Sequence, residues 1–245
     1  MRTIDTTATS ECASVAHEGV GKAGSARAVA TMNCDRIARV YRTAEYLSFG
    51  GSLQACRVMY LGAVSNCRRA LVCGDGDGRF LAELLRTNRG VRADFVDLSA
   101  RMAGLARRRV ESIGADAAAR TRFHIGDLRE CKDSENAGYD LITAHFFLDC
   151  FADAEIASVA RRLASFARPG ATLLLSDFRI PPRGGARYIA AAIVRGLYVG
   201  FRVATGLRVN RLPDYELALE RAGFHKGDET LKLGGLLATS LWRKA

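Results

Sequence analysis

Apolar positions change period along this chain. Between Asp35 and about Met59 they follow a helix, with Ile37, Val40, Tyr41, Ala44 and Leu47 on one face. Phe49-Gly50-Gly51 breaks that run, and a second helix is predicted from Ser52 to Leu61. Short apolar runs then alternate with helical ones. Strands are predicted at Ala70–Cys73, Ala93–Val96, Arg122–Ile125, Asp140–Thr143 and Thr172–Ser176, and helices at Gly78–Thr87, Ala100–Ser112 and Asp153–Phe166. Pro169-Gly170 is a turn before the fifth strand. Pro213 opens a helix to about Ala222, Gly223 stops it, and His225–Leu231 with Gly235–Trp242 suits a closing hairpin. The expectation is an α/β fold: a Rossmann-like sheet of seven mostly parallel strands, helices on both faces, and a C-terminal antiparallel hairpin. Residues 1–31, rich in Ala, Ser, Thr and Gly, have no apolar period and read as a disordered tail. Met32, where the pattern begins, is a candidate start. The organisation is a tail over 1–31, a helical cap over 32–66, and a main domain over 67–245 with a helical lid insertion at about 184–206.

Composition narrows the class. The chain has 245 residues, 49% hydrophobic and 25% charged, ordinary for a globular domain. No apolar run is long enough to span a bilayer. Seven scattered cysteines without a C-x-x-C argue for reduced thiols, a cytoplasmic setting and no metal site. The net charge of +10 is uneven: Arg179 to Arg211 holds seven arginines and no acid. Such a surplus attracts anionic partners, or follows from a GC-rich genome.

Candidate chemistry begins where the first strand breaks into Gly74-Asp75-Gly76-Asp77-Gly78, followed by Asp97 at the tip of the second. Glycines let backbone approach a ligand closely, and an acid so placed accepts hydrogen bonds from ribose hydroxyls. A dinucleotide fingerprint would put its third glycine at Arg79; here it is Gly78. Further pieces are Asp97-Leu98-Ser99-Ala100-Arg101-Met102, then Ile125-Gly126-Asp127-Leu128, then Arg168-Pro169-Gly170.

Over residues ~67–245 these pieces, in this order, resemble class I S-adenosylmethionine-dependent methyltransferases. The resemblance implies S-adenosylmethionine as cofactor. Its contacts would be Gly74, Asp75, Gly76, Gly78, Asp97, Leu98, Met102, Asp127, Leu128 and His145. The family often has an acid two residues before the first glycine; Val72 stands there. Asp75 or Asp77 could serve instead, or cap the next helix. Within the family, Asp35-Arg36-Ile37-Ala38-Arg39-Val40-Tyr41, Ala222-Gly223-Phe224 and Leu233-Gly234-Gly235 resemble the UbiE-like branch, which methylates ring carbons of polyprenylated quinone precursors. His145-Phe146-Phe147-Leu148-Asp149 departs from that branch's Arg-Asn signature.

Methyl transfer from a sulfonium needs proximity and alignment more than acid–base chemistry. His145 and Asp177, at the ends of the fourth and fifth strands, are the catalytic candidates; the alternatives are a histidine packed beneath the cofactor and an acid serving a turn. Substrate-side candidates are Tyr41, Asp149, Tyr188 and Arg195. Tyr188 to Val203 is mostly apolar, with Arg187, Arg195 and Arg202 on one face. That suits a lid over an apolar acceptor, a segment on an anionic membrane surface, or a helix packed on the core. The function expected is methylation of a small, hydrophobic acceptor such as a quinone, lipid or secondary metabolite. Alternatives are a nucleic-acid methyltransferase, for which Ala144-His145-Phe146-Phe147 lacks the usual motif, and a non-catalytic cofactor-binding protein. A nicotinamide oxidoreductase ranks lower. No nucleic-acid partner is expected.

Overall fold

The computed structural model describes Phe49, 51–131, 138–205 and 211–245, with backbone alone for 201–205. The expected helix from Asp35 and the tail lie outside these residues. Helix α1 (Ser52–Val58) leads into β1 (Arg69–Cys73). There follow α2 (Arg79–Thr87), β2 (Arg92–Asp97), α3 (Ala100–Glu111), α4 (Ala115–Ala119), β3 (Thr121–Ile125) and β4 (Tyr139–His145). The second half holds α5 (Asp153–Phe166), β5 (Ala167–Phe178), α6 (Ala186–Thr205), α7 (Tyr215–Arg221), β6 (Phe224–Lys232) and β7 (Leu237–Lys244). The strands form one seven-stranded sheet in the order β3-β2-β1-β4-β5-β7-β6. Only β7 runs against the rest, antiparallel to both β5 and β6.

Period-two burial explains why these strands sit in the middle. In β1, Ala70 and Val72 join the core under α2 and α3, with Phe80, Leu84 and Ala106. Leu71 and Cys73 join the opposite core with Val159, Leu163, Leu219 and Trp242. Both faces of the strand are therefore apolar, as a doubly covered sheet demands. Val72, the residue in place of the family's usual acid, is fully buried in the first of these cores. A third cluster joins Leu53 and Cys56 of α1 to Phe146, Phe178, Ala190, Val194 and Tyr198. It closes the end of the sheet where β4 and β5 finish.

Two elements depart from expectation. Pro169-Gly170 falls inside β5: Ala167 pairs with Tyr139, the chain bulges, and pairing resumes at Leu141 with Thr172. A turn signal read as a boundary is thus an exposed bulge in a longer strand. The five-residue α4 had no apolar period to announce it.

The chain winds outward from β1 through β2 to β3, then returns to β4 on the other side of β1. That reversal opens a crevice at the carboxyl ends of β1 and β4, where open α/β sheets bind ligands. Among the described residues no helix is long and apolar enough to cross a membrane.

Candidate cofactor and acceptor site

The turn after β1 depends on its glycines. Gly74, Gly76 and Gly78 all have left-handed φ, at 60°, 62° and 77°, a region costly for other residues. Their surroundings differ. A Cβ on Gly78 would lie 2.7 Å from the Cβ of Ala106, so this glycine lets α3 close on the turn. A Cβ on Gly74 would run into the Phe147 ring at 2.3 Å. At Gly76 the nearest atom is Met102 Sδ at 4.0 Å, which leaves that stretch of backbone bare.

The two acids of the turn point away from one another in role. Asp75 faces inward, accepting from the backbone N–H of Phe80 (3.2 Å) and Leu81 (2.9 Å), and so caps α2. Burial pushes its carboxyl up to about 7, against the pull of the Arg57 guanidinium and those N–H groups. Asp75, one of the expected cofactor contacts, thus also caps the helix that follows the turn. Asp77 accepts from Arg109 Nη2 at 2.8 Å, tying α3 to the turn.

Asp97 sits at the tip of β2 with both oxygens anchored on backbone. Oδ2 accepts from Gly76 N–H (3.2 Å) and Oδ1 from Ser99 N–H (2.9 Å). A carboxylate is an acceptor with two lone pairs on each oxygen, the chemistry a ribose diol calls for. Ser99 caps α3 by accepting from Met102 N–H (3.2 Å), which places Met102 over Gly76. Beyond this acid Leu98 and Ile125 are 44% and 58% exposed at the tips of β2 and β3. Two open apolar side chains beside the acid expected to meet a ribose suit the faces of a purine.

A bare glycine backbone, an anchored acid and an apolar slot fit S-adenosylmethionine. The two expected adenine contacts, Asp127 and Leu128, follow β3 directly. Asp127 is gripped by the Arg129 guanidinium, with Nε 3.0 Å from each oxygen. That hydrogen-bonded charge holds its carboxyl below the usual range despite the opposing effect of burial. Leu128 is buried in the core, leaving only its backbone for a ligand.

At the acceptor end, His145 is buried, with its ring 4.6 Å from that of Phe80. Its Nδ1 lies 2.9 Å from Ser176 Oγ, which lies 3.1 Å from Thr239 Oγ1. Burial and the nearby Arg57 drive the imidazole pKa down to about 3, so it is neutral at physiological pH. Asp177, the other catalytic candidate, is likewise fully buried, at the end of β5. It accepts from the N–H of Phe178 (2.8 Å) and Asp149 (3.2 Å), bracing the turn at 148–150. Asp149 is buried beside it, and its backbone carbonyl accepts from Tyr198 Oη at 3.1 Å. Burial pushes both carboxyls up, Asp149 to about 6, and their proximity raises Asp177 further. Phe146 holds a left-handed φ of 54° between these groups, the kind of strain that collects at functional sites.

Tyr188 and Arg195 lie exposed on α6, pointing to solvent. Tyr41 lies outside the described residues. Residues not foreseen include Arg57, buried with its guanidinium 5.1 Å from the Phe146 ring, and Phe147, lying on Gly74. An arginine in an early helix carries no local sign that it will be buried. The Phe147 packing needed only the neighbouring strand order to be anticipated. A groove of about 500 Å³ between α5 and α7 includes none of the glycine-turn residues.

The strand order, the antiparallel β7 and the glycine turn at the β1/β4 reversal define the class I methyltransferase fold. Residues 71–173 match the family model of a methyltransferase domain. No curated protein matches the sequence. Among solved structures, the chain is similar to an O-methyltransferase family protein from Burkholderia thailandensis: 18% identity, TM-score 0.68, covering 87% of this chain and 61% of that one. It is similar to mitomycin 7-O-methyltransferase MmcR, at 20% identity and TM-score 0.60, covering 85% and 60%. A third is the 1,6-didemethyltoxoflavin-N1-methyltransferase of Burkholderia thailandensis, solved with 1,6-didemethyltoxoflavin and S-adenosylhomocysteine: 18% identity, TM-score 0.61, 93% of each chain. The chain thus spans about three fifths of the length of the first two.

Proposed function

We propose that this protein is an S-adenosylmethionine-dependent methyltransferase acting on a small, apolar, ring-bearing acceptor. The observation that carries this reading is the Asp97 carboxylate, held by Gly76 and Ser99 between a bare glycine turn and the exposed Leu98 and Ile125. Asp97 would hold the ribose, Leu98 and Ile125 the purine, and the Gly74–Gly78 backbone with Met102 the remainder. When bound, the cofactor supplies an electrophilic methyl group on a sulfonium.

The chain's own contribution is alignment and exclusion of water. Phe146 and Phe178, packed against Ala190 and Val194 of α6, form an apolar wall at the ends of β4 and β5. His145 acts through Ser176 as a positioning residue, since its imidazole is buried and neutral. Asp177 holds the 148–150 turn in place. An acceptor that ionises readily, such as a phenol or an acidic ring N–H, needs no strong base.

The O- and N-methyltransferases among similar structures support a heteroatom acceptor. The UbiE-like ending, Ala222-Gly223-Phe224 with Leu233-Gly234-Gly235, supports a quinone-like one. Both are small and apolar. The acid-free stretch from Arg179 to Arg211 supports contact with an anionic membrane surface. Transfer of label from S-adenosylmethionine to a panel of phenols, quinols and N-heterocycles tests the reading; loss of turnover in Asp97→Ala is expected. Turnover with none of them, despite cofactor binding, would contradict the acceptor class.

A further inference from the structure

Helix α6 is apolar on the side that no other described residue covers. It buries Ala190, Val194 and Tyr198 at helical spacing against Phe146 and Phe178. At 100° per residue, Tyr188, Val199, Ala192, Gly196, Ile189, Gly200 and Ile193 fall within about 140° of one another, opposite that buried line. None is charged. Tyr188 is 78% exposed and Ile189 66%, and a Cβ on Gly196 or Gly200 would meet no atom within 4 Å.

The exposure is concentrated. Of ten exposed large hydrophobic residues among the described ones, four (Tyr188, Ile189, Ile193, Val199) are on α6. Two more, Ile180 and Leu233, flank the contact of Pro181 with Gly235 just before the helix. A helix that is apolar on its outer face, in a domain of this size, marks an interaction surface.

Charge selects the occupant. Arg183 and Arg195 are exposed, and no acid occurs between Arg179 and Arg211 to offset them. Arg195 stands at the edge of the apolar sector, about 20° beyond Tyr188, from where its stem can lie along a lipid surface with the guanidinium among headgroups. An apolar face bordered by arginines is the pattern of a helix lying in the plane of an anionic bilayer interface.

We infer that the outer face of α6, with the adjoining Ile180 and Leu233, docks this protein on anionic lipid bilayers. Ile189, Ile193 and Val199 enter the headgroup–acyl boundary, and Arg183 and Arg195 meet lipid phosphates. The inner face of the same helix packs against Phe146 and Phe178, so docking sets the proposed acceptor wall one helix away from the lipid. That consequence rests on the methyltransferase reading; lipid binding itself does not.

The test is flotation of the full chain with vesicles of phosphatidylcholine alone, or with 30% phosphatidylglycerol as a chosen composition. Co-flotation with the anionic vesicles only is expected. Ile189→Asp/Val199→Asp should abolish it, and Arg183→Gln/Arg195→Gln should weaken it by about thirtyfold. Each variant should keep its circular dichroism and its calorimetric affinity for S-adenosylmethionine, so loss of cofactor binding is read separately from loss of flotation. Absence of flotation by the unmodified chain overturns the inference. So does dimerisation in light scattering that Ile189→Asp/Val199→Asp abolishes while flotation persists, because the face would then belong to a second copy.

Discussion

Asp97 concentrates the proposed cofactor site into one side chain. Removing its carboxylate would cost the ribose contacts proposed for it and would also free the Gly76 N–H. Asp97→Ala should weaken S-adenosylmethionine binding ~50-fold, from the size of charge-assisted hydrogen bonds, with little change in melting temperature. Two buried groups make opposite contributions to pH dependence. The Asp75 carboxyl is raised to about 7 when folded, against ~3.9 unfolded. The native state therefore binds more protons between those values, and the contribution of Asp75 to stability falls as pH rises through them. Asp75→Asn keeps an oxygen for the α2 cap, so its stability relative to the natural chain should improve from pH 4.5 to pH 7.5 in urea titrations. His145 works the other way. Its folded pKa of about 3 lies below ~6.5 unfolded, so its contribution is lost as pH falls below 6.5. The deficit of His145→Gln against the natural chain should accordingly shrink between pH 7 and pH 5. A deficit independent of pH would mean that the imidazole is not buried as described. Asp97 was legible from its place after an apolar run. The inward turn of Asp75, where it serves as the helix cap, depends on a left-handed backbone at both neighbouring glycines, which the residue type alone does not reveal.

At the scale of elements, the glycine turn separates packing from ligand approach. Gly78→Ala adds strain at φ 77° and a clash with Ala106 of α3. It should destabilise by about 2–4 kcal/mol, measured by urea unfolding. Gly76→Ala meets only Met102 at 4.0 Å. It should lose about 1 kcal/mol of stability yet weaken cofactor affinity more than Gly78→Ala does in the folded fraction. Equal effects of the two on affinity would remove the distinction drawn between them. Most elements were readable because doubly covered strands are short apolar runs and the helices between them carry a 3.6-residue period. The exceptions have local causes. Pro169-Gly170 signals a turn, but cross-strand pairing of Ala167 with Tyr139 extends β5 past it. The short α4 buries only Ala117, too little to make a stripe.

For the whole molecule, the reversal of strand order at β1 and β4 brings together residues far apart in sequence. His145, Ser176, Thr239 and the Cys56 carbonyl meet in one buried polar chain, which no local pattern could announce. The proposed cofactor end was therefore far more legible than the proposed acceptor end. Its residues follow one another in three strand–turn segments, while the apolar wall around Phe146 and Phe178 is assembled from α1, β4, β5 and α6. The crevice at β1 and β4 is proposed to take S-adenosylmethionine. Titration calorimetry of the full chain with S-adenosylmethionine, S-adenosylhomocysteine and NADH is the decisive measurement. Both sulfur ligands should bind at one site per chain, with binding lost in Asp97→Ala, and NADH should give no heat. Binding of NADH alone, or of none of the three, would contradict that proposal.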